Sequence, residues 1–344
     1  MHRYNFLLPA IVAVFLVLHL PCNCLAQIKV ADKGVGSFTC WIDENSYYEG
    51  RYPDRLKVTL LPGATVEARQ RAVVIDGLLS SYNAQFPYIP RITSTIGLAI
   101  SPDGSKLAAA RVGSTVGVDK FVVSDGKKFY TYDPGTLHSQ FVWLPDSSGI
   151  LDIGFDAGTA RVKQIIPGQS VTTFDVLSFD YPIRHMDYIG AWGITDDGKL
   201  IVTYEYGSTN PQIDLYELDI KNRQNKAKKY TVKFARICQI FEFAADPISR
   251  QLVIECYRPP ADRGNVPGGK FGRVELWVCN LDGSHMRQIH STVVEPVLKD
   301  TRTGPEAPCG IQWIPGASAI SYLMHDSLWK LPIPNENRPT EVPR

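Results

Sequence analysis

Acidic residues within or beside predicted β-strands have the clearest chemical potential in this sequence. Four of them are Asp152, Asp187, Glu205 and Glu242. Two carboxylates that neighbouring strands bring together can bind a divalent cation, or they can act as general acid and base. The alternative is a structural role, because networks of buried carboxylates also stabilise folds. None of the four belongs to a loop with EF-hand spacing.

The sequence offers no nucleophile with an adjacent base. It contains no G-x-S-x-G motif, which excludes the peptidase domain that accompanies some repeat proteins. The histidines are scattered, and a metal site needs more ligands than a neighbouring pair supplies. Surface or turn positions are favoured for His138, His185, His285, His290 and His325. We therefore expect no catalytic residue and no bound cofactor, with a divalent cation on the carboxylates as the open alternative.

A loop rich in glycine and proline carries a second candidate site. It lies between two predicted strands and contains Arg258, Arg263, Lys270 and Arg273. Long insertions between strands lie at the surface, where binding residues concentrate. The basic side chains predict contact with an anionic or acidic partner, and the alternative is a loop that binds nothing.

Two of the seven cysteines form a candidate disulfide. If Phe243 pairs with Gln251 across a predicted hairpin, Cys238 lies opposite Cys256. Opposed residues have Cβ atoms about 4.5–5.5 Å apart, slightly more than the roughly 3.5–4.5 Å of a disulfide. The alternative is a pair of buried thiols.

The first 26 residues have the pattern of a secretory signal peptide. Residues 6–20 are almost wholly apolar, and a small residue, Ala26, stands just before Gln27. This pattern favours cleavage near Ala26 over a retained membrane anchor, since the apolar run is short for a bilayer. No later segment is long and apolar enough to span a membrane. We therefore expect a periplasmic or secreted protein that is not an integral membrane protein after cleavage.

The chain contains a degenerate internal repeat. Each copy is an apolar strand, a turn rich in Pro, Asp and Gly, and a second apolar strand. Ser101, Leu144, Thr195, Ala244 and Ile314 mark the copies, at intervals of 43, 51, 49 and 70 residues. Two further predicted strands follow most copies. Repeats of this length with four strands each are typical of a β-propeller.

The segment 27–92 precedes the repeats and is harder to interpret. It is long enough for one more blade, and it could also supply a strand that closes the ring against residues 328–333. Residues 67–82 have a partly helical pattern, although Gly77 and β-branched residues argue against a helix. We therefore predict an all-β propeller, most simply of six four-stranded blades, with five or seven as alternatives. Residues 93–334 hold the marked blades, and residues 335–344 form a C-terminal tail.

The repeat resembles that of the TolB-like, WD-repeat-like propeller family. The run LWVCNLDGSHMRQI at 276–289, the later IQWIPGASAISYL at 311–323, and the intact Ser-Pro-Asp-Gly at 101–104 carry the resemblance. It covers roughly residues 93–334 and implies a protein-interaction scaffold. It implies no site residues, because the motif of the family is structural.

Two functions remain open after this reading. Lys and Arg number 36 against 35 Asp and Glu, so no strong overall field favours nucleic acid as a partner. The first function is a non-enzymatic scaffold that binds a ligand or another envelope or extracellular protein. The alternative is a lyase or hydrolase with a divalent cation and carboxylates in the central channel.

Overall fold

A computed structural model describes most of the chain after residue 26. The described residues are 27–32, 37–51, 56–86, 98–112, 118–134, 139–156, 159–178, 189–205, 212–221, 227–234, 239–258, 272–294, 309–325 and 327–333. The predicted signal peptide (1–26) and tail (335–344) lie outside these ranges.

The described residues form 23 strands and one helix. In chain order they are β1 (Ile28–Asp32), β2 (Ser37–Asp43), β3 (Ser46–Arg51), β4 (Lys57–Leu60), α1 (Val66–Gln85), β5 (Leu98–Ile100), β6 (Leu107–Val112), β7 (Val118–Ser124), β8 (Phe129–Tyr132), β9 (Gln140–Trp143), β10 (Ile150–Asp156), β11 (Thr159–Ile165), β12 (Thr172–Ser178), β13 (Ile189–Ile194), β14 (Lys199–Glu205), β15 (Gln212–Asp219), β16 (Lys228–Lys233), β17 (Gln239–Asp246), β18 (Gln251–Arg258), β19 (Gly272–Asn280), β20 (Arg287–Val294), β21 (Cys309–Trp313), β22 (Ala319–Met324) and β23 (Ser327–Pro332).

These strands form six antiparallel sheets, which confirms the predicted six-bladed propeller. We number the blades in chain order: blade 1 is β2–β4, blade 2 is β5–β8, blade 3 is β9–β12, blade 4 is β13–β16, blade 5 is β17–β20, and blade 6 is β21–β23 with β1. Five blades have four strands. Blade 1 has three strands among the described residues, where we predicted four.

The inner strand of each blade faces the centre of the ring; it is the first strand in blades 1 to 5 and β21 in blade 6. Neighbouring blades touch through these inner strands: β9 contacts β13, β13 contacts β17, β17 contacts β21, and β21 contacts β2. The cores lie between the blades. One apolar cluster, for example, joins Ala244 and Val253 of blade 5 to Ile311 and Ile320 of blade 6.

The helix α1 packs beside the outer strand of blade 1. It begins at Thr65, whose hydroxyl accepts a hydrogen bond from the Ala68 N–H at 3.2 Å, as is typical of an N-cap. Its buried side chains, such as Ile75 and Leu79, join a cluster that includes Leu107 of blade 2. The helix therefore contacts β4 at the edge where the other blades have a fourth strand.

The two ends of the described chain meet in blade 6. The N-terminal β1 pairs antiparallel with β23, with Ile28 opposite Lys330 and Asp32 opposite Ser327. The Ser327 hydroxyl donates to Asp32 Oδ1 at 3.2 Å. The blade is therefore built from both ends of the propeller sequence, and this pairing joins the ring.

Four of the five repeat marks occupy equivalent turns. In each, the N–H of the marked residue donates to a carbonyl on the returning strand, and its own carbonyl accepts from the N–H three residues later. These residues are Ser101, Leu144, Thr195 and Ile314. The turn of Ser101 also shows why Asp is favoured there, because Asp103 Oδ1 accepts from the Ser101 hydroxyl at 2.6 Å and from the Ser105 N–H at 2.9 Å.

The fifth mark, Ala244, lies inside a strand and not in the turn. Strand β17 continues to Asp246, and Phe243 pairs with Ile254, not with Gln251. The predicted register was therefore wrong. The cause is that β17 extends past Ala244, so the turn of the hairpin follows Asp246. In this turn Arg250 adopts a positive φ of 55°.

Tryptophans join neighbouring blades by hydrogen bonds. The indole N–H of Trp143 donates to the Ala99 carbonyl of the preceding blade at 3.1 Å, and that of Trp313 donates to the Ala244 carbonyl at 2.9 Å. Trp41 donates in the same direction, to blade 6. An indole buried with a partner for its N–H supplies a large apolar surface without an unsatisfied donor.

Among the described residues, no helix has the length and apolar character needed to cross a bilayer.

The replacement of a strand by α1 predicts an unequal response to two substitutions on the helix. Leu79 is fully buried and Val73 is 73% exposed. We expect Leu79→Ala to lower the free energy of unfolding by about 2–5 kcal/mol, because it leaves a cavity under the helix. Val73→Ala should change it by less than about 0.5 kcal/mol. Urea unfolding measures both, and equal effects would contradict the packing of α1 against the propeller.

Candidate functional site

Of the four predicted carboxylates, the structure describes the side chains of Asp152 and Glu242, and these lie in different blades. Asp152 is fully buried on β10 of blade 3, Glu205 ends β14 of blade 4, and Glu242 lies on β17 of blade 5. Asp187 lies outside the described residues, and the side chain of Glu205 is not described either.

Glu242 has a different acidic partner, Glu255. The two residues lie directly opposite each other on β17 and β18, so their side chains project from the same face of blade 5 with Cβ atoms about 4.5–5.5 Å apart. Sequence reasoning missed Glu255 because the predicted register placed other residues opposite Glu242. Pairing Asp246 with Gln251 across the hairpin, as the structure does, places Glu255 directly opposite Glu242.

Backbone groups of the next blade hold the Glu242 carboxylate. The Gly310 N–H donates to Glu242 Oε2 at 2.8 Å, and the Ile311 N–H also donates to this carboxylate. Gly310 has a φ of +63°, which glycine adopts readily, and the pairing of β21 with β22 is irregular between Cys309 and Gln312. Despite these two donors, burial raises the pKa of Glu242 to about 7.

Glu255 is more deeply enclosed than Glu242. It is 2% exposed, and its burial together with the neighbouring charge of Glu242 holds its pKa well above the usual value. No hydrogen-bond donor or cation contacts its carboxyl group among the residues that the structure describes. At neutral pH the pair therefore does not carry two full negative charges.

The other buried carboxylates with described contacts have cations beside them. In the same blade, Glu275 pairs with Arg258 at 2.8 Å and accepts from the Trp277 indole at 3.0 Å. In blade 4, Asp214 pairs with Lys229 at 2.7 Å, and Glu217 pairs with Arg250. Buried carboxylates normally have such partners, because desolvation of an isolated charge is costly. The pair Glu242–Glu255 departs from this pattern.

Two polar aromatic side chains lie farther out on the same blade interface. His290 is on β20, in the row of Glu255, with Leu276 of β19 between them. Its ring stacks on Tyr322 of blade 6 with centroids 6.3 Å apart, and it contacts the Gln27 amide at 2.9 Å. Burial lowers the pKa of His290 and raises that of Tyr322 above its usual value, so both are neutral at neutral pH.

Metal ligation by described residues alone has no support. Two strand spacings, about 10 Å, separate Glu255 from His290 across the sheet. Within the described part of the chain, no group of three or more His, Cys, Asp or Glu side chains is close enough to hold an ion.

The predicted basic loop is described only at its ends. Arg258 ends β18 and is engaged by Glu275, whereas Arg273 on β19 lies opposite Arg258 and is exposed. Arg263 and Lys270 lie outside the described residues. The loop therefore remains a candidate on the strength of its sequence.

The predicted disulfide also remains a prediction, although the register behind it was wrong. Cys256 lies opposite Ile240, and Cys238 lies outside the described residues. The register from which we predicted that Cys238 lies opposite Cys256 is therefore not the register observed.

Comparisons with known proteins give matches in structure and none in sequence. No protein-family model and no curated protein matches this sequence. Solved structures similar to the chain include TolB from Acinetobacter baumannii, with 14% identity, a TM-score of 0.37, and coverage of 90% of this chain and 80% of that one. They also include YCF48 bound to D1 peptide, with 14% identity, a TM-score of 0.43, and coverage of 92% and 97%. A third is Kuenenia stuttgartiensis hydrazine synthase, with 13% identity, a TM-score of 0.44, and coverage of 81% and 70%. TolB is thus among the similar structures, as the repeat motif led us to expect, while the propeller assignment itself comes from the six sheets.

The raised pKa values of the pair predict that stability falls as pH rises. Between the usual glutamate pKa of about 4.5 and the folded value of about 7, the unfolded chain loses protons that folded Glu242 retains. The pKa of Glu255 is also raised, so this residue contributes in the same direction. We expect the melting temperature to decrease from about pH 5 to about pH 8, and the slope to be smaller in the Glu242→Gln/Glu255→Gln variant. Glu67→Gln, on the exposed face of α1, serves as the control, and an unchanged slope in the double variant would contradict the assignment.

Proposed function

We propose that this protein is an exported β-propeller that binds, without chemical conversion, a ligand or protein partner through a positively charged group held by Glu242 and Glu255. The six-bladed fold provides a rigid ring on which such a site can be built. The predicted signal peptide at residues 1–26 supports a location in the periplasm or outside the cell. A partner in that compartment would be another envelope or extracellular protein.

The observation that carries the proposal is a carboxyl pair that has no cation beside it among the described residues. Glu275, Asp214 and Glu217 each have a lysine or arginine beside them, whereas Glu255 faces a second carboxyl group. Such an arrangement costs stability in the empty protein. A cationic group between the two carboxylates would remove this cost, so ligand binding and folding stability would favour the same state.

The position of the pair also supports binding. Glu242 and Glu255 lie closer to the ends of β17 and β18 that are opposite the hairpin turn. The connection 259–271, with Arg263 and Lys270, leaves blade 5 at that same end. A partner that places a cation on the pair would therefore be near the basic loop, which could contact acidic groups of the same partner.

The second candidate function, an enzyme acting by acid–base chemistry, is favoured by one observation. A carboxyl group with a pKa of about 7, such as that of Glu242, is matched to proton transfer at neutral pH. A lyase or hydrolase would also need an additional electrophile, such as a divalent cation. Metal-dependent stabilisation of the protein would therefore support this second candidate.

Export predicts the N-terminus of the mature protein. Gln27 contacts His290, and β1 begins at the next residue, so described contacts begin directly after the predicted cleavage site. We expect cell fractionation to place the protein outside the cytoplasm, and N-terminal sequencing to begin at Gln27. A cytoplasmic protein that retains residues 1–26 would contradict the export proposal and would leave the cation site to be tested separately.

Cation binding predicts ligand-dependent thermal stabilisation of the chain from Gln27. The probes are Ca²⁺, Zn²⁺, lysine amide and arginine amide, each measured against a chelator-treated sample. A bound cation at a hundredfold excess over its Kd should stabilise the fold by about 2.7 kcal/mol. The Glu242→Gln/Glu255→Gln variant should lose the shift, because neutral amides cannot pair with a cation.

Glu275→Gln is the matched control for this experiment. It removes a buried carboxylate from the same blade, but one that already has Arg258 beside it. The ligand-induced shift should persist in this variant. Failure of all four probes to stabilise the wild-type chain, or an equal shift in the double variant, would overturn the proposed function.

A further inference from the structure

We propose that the charged group recognised by the Glu242–Glu255 pair is a guanidinium, held between the two carboxylates and against the aromatic rings of Phe241 and Tyr257. This inference rests on the proposed function, because it names the class of ligand for the same site. It depends on a separate observation, which is the placement of the two rings.

The rings lie on the same face of blade 5 as the carboxylates. Tyr257 follows Glu255 by two residues on β18, so the two side chains share a face. The pairing of β17 with β18 is irregular between Ile240 and Glu242. This bulge at Phe241 turns its ring toward Tyr257, and the two rings stack with centroids 5.7 Å apart and planes 5° from parallel.

The aromatic pair is more accessible than a core pair would be. Phe241 and Tyr257 are both partly buried, and they pack against fully buried Val274. Tyr257 lies two residues closer than Glu255 to the end of β18 at Arg258, and the Phe241 ring stacks on it. A ligand that approaches from this end would meet the rings first and the carboxylates beyond them.

A glycine makes room for this arrangement. A Cβ atom on Gly272, the first residue of β19, would lie 2.2 Å from the Tyr257 ring. A side chain at this position would therefore displace the ring. The residue type at position 272 is thus coupled to the position of Tyr257.

Guanidinium fits these groups better than a metal ion or a simple ammonium. It is planar and presents a fork of N–H groups that can donate hydrogen bonds to two carboxylate groups. It also stacks on aromatic rings and is more weakly hydrated than an ammonium, which suits a partly buried site. The Gly310 and Ile311 N–H groups already engage the Glu242 carboxylate, so the two oxygens of Glu255 and the remaining acceptor capacity of Glu242 are assigned to the ligand.

Charged groups on the surrounding elements do not compete for this role. Arg258 on β18 is engaged by Glu275 of β19, and Glu275 lies opposite Cys256, on the other face of the sheet. On β20 and β22, His290 and Tyr322 are neutral at neutral pH because they are buried. Among the described residues, no arginine or lysine side chain contacts Glu242 or Glu255.

The test compares the affinities of arginine amide, lysine amide and Ca²⁺ for the chain from Gln27 by calorimetric titration. We expect arginine amide to bind most tightly. Glu255→Gln should weaken its binding by a factor of at least about ten, the effect of losing a charge-assisted hydrogen bond. Phe241→Leu and Tyr257→Leu should each weaken it about fivefold, as expected for the loss of one cation–π contact.

Two further variants separate the site from general effects on folding. Gly272→Ala should weaken arginine amide binding in the same direction as Tyr257→Leu, because it displaces the ring without removing it. Tyr130→Leu, in blade 2 and remote from the site, should leave the affinity unchanged. Circular dichroism checks that each variant is folded before its affinity is compared.

The outcomes distinguish this inference from the proposed function. If lysine amide or Ca²⁺ binds as tightly as arginine amide, or if both aromatic variants retain the wild-type affinity, the guanidinium assignment is wrong and the cation site stands. If no cation binds, the proposed function fails and this inference fails with it.

A final comparison identifies the source of the guanidinium. Arginine amide presents the group on a small molecule, and a Gly-Arg-Gly peptide presents it on a chain. Binding of both supports recognition of an arginine side chain of a partner protein. Binding of arginine amide alone supports a free arginine-like ligand.

Discussion

The closure of the ring by β1 and β23 is the constraint on which the other features depend. A propeller with an unpaired end would expose strand edges at one blade and would leave the neighbouring cores open on one side. Pairing of residues 28–32 with residues 327–330 prevents this. Blade 6 packs against blade 5 and supplies the Gly310 N–H to Glu242. The geometry of the candidate site therefore depends on strands from both ends of the sequence.

Within this ring, the blades differ in whether a buried carboxylate has a cation beside it. Blade 4 encloses Asp214 and Glu217 but supplies Lys229 and Arg250 to them. Blade 5 supplies Arg258 to Glu275 and leaves Glu242 facing Glu255. Within the described part of the chain, one face of this sheet thus has a carboxylate with a cation beside it, and the other face has two carboxylates without one. Pairing with a cation explains how Glu275 can be buried, but it does not explain the burial of Glu242 opposite Glu255. This contrast is the basis of the functional proposal.

The fold was predictable from the sequence because its repeat depends on local turn chemistry. Ser101, Asp103 and Gly104 form a turn held mainly by hydrogen bonds between residues close in the chain, so the residue types predict it. The helix α1 was harder to predict, because Gly77 and exposed Val73 and Val74 weaken its pattern, and its stability comes from packing against blade 2.

The site was predictable in only one of its members. Glu242 was recognised as an acidic residue on an inner strand, but Glu255 was not, because its pairing depends on β17 continuing three residues beyond Phe243, to Asp246. The bulge at Phe241 and the Gly310 N–H come from the register and from a neighbouring blade. Contacts of this kind join residues far apart in the chain, and local patterns of residue type do not encode them.

The closure of blade 6 has a consequence for the order in which the protein can be completed. Of the described strands, β1 is synthesised first and its partner β23 last. Strand β1 therefore has no partner until the rest of the propeller has been synthesised, whereas each internal blade can pair its strands as they appear. A chain that stops before residue 327 would contain most of its blades and yet remain an open arc with an exposed edge at each end.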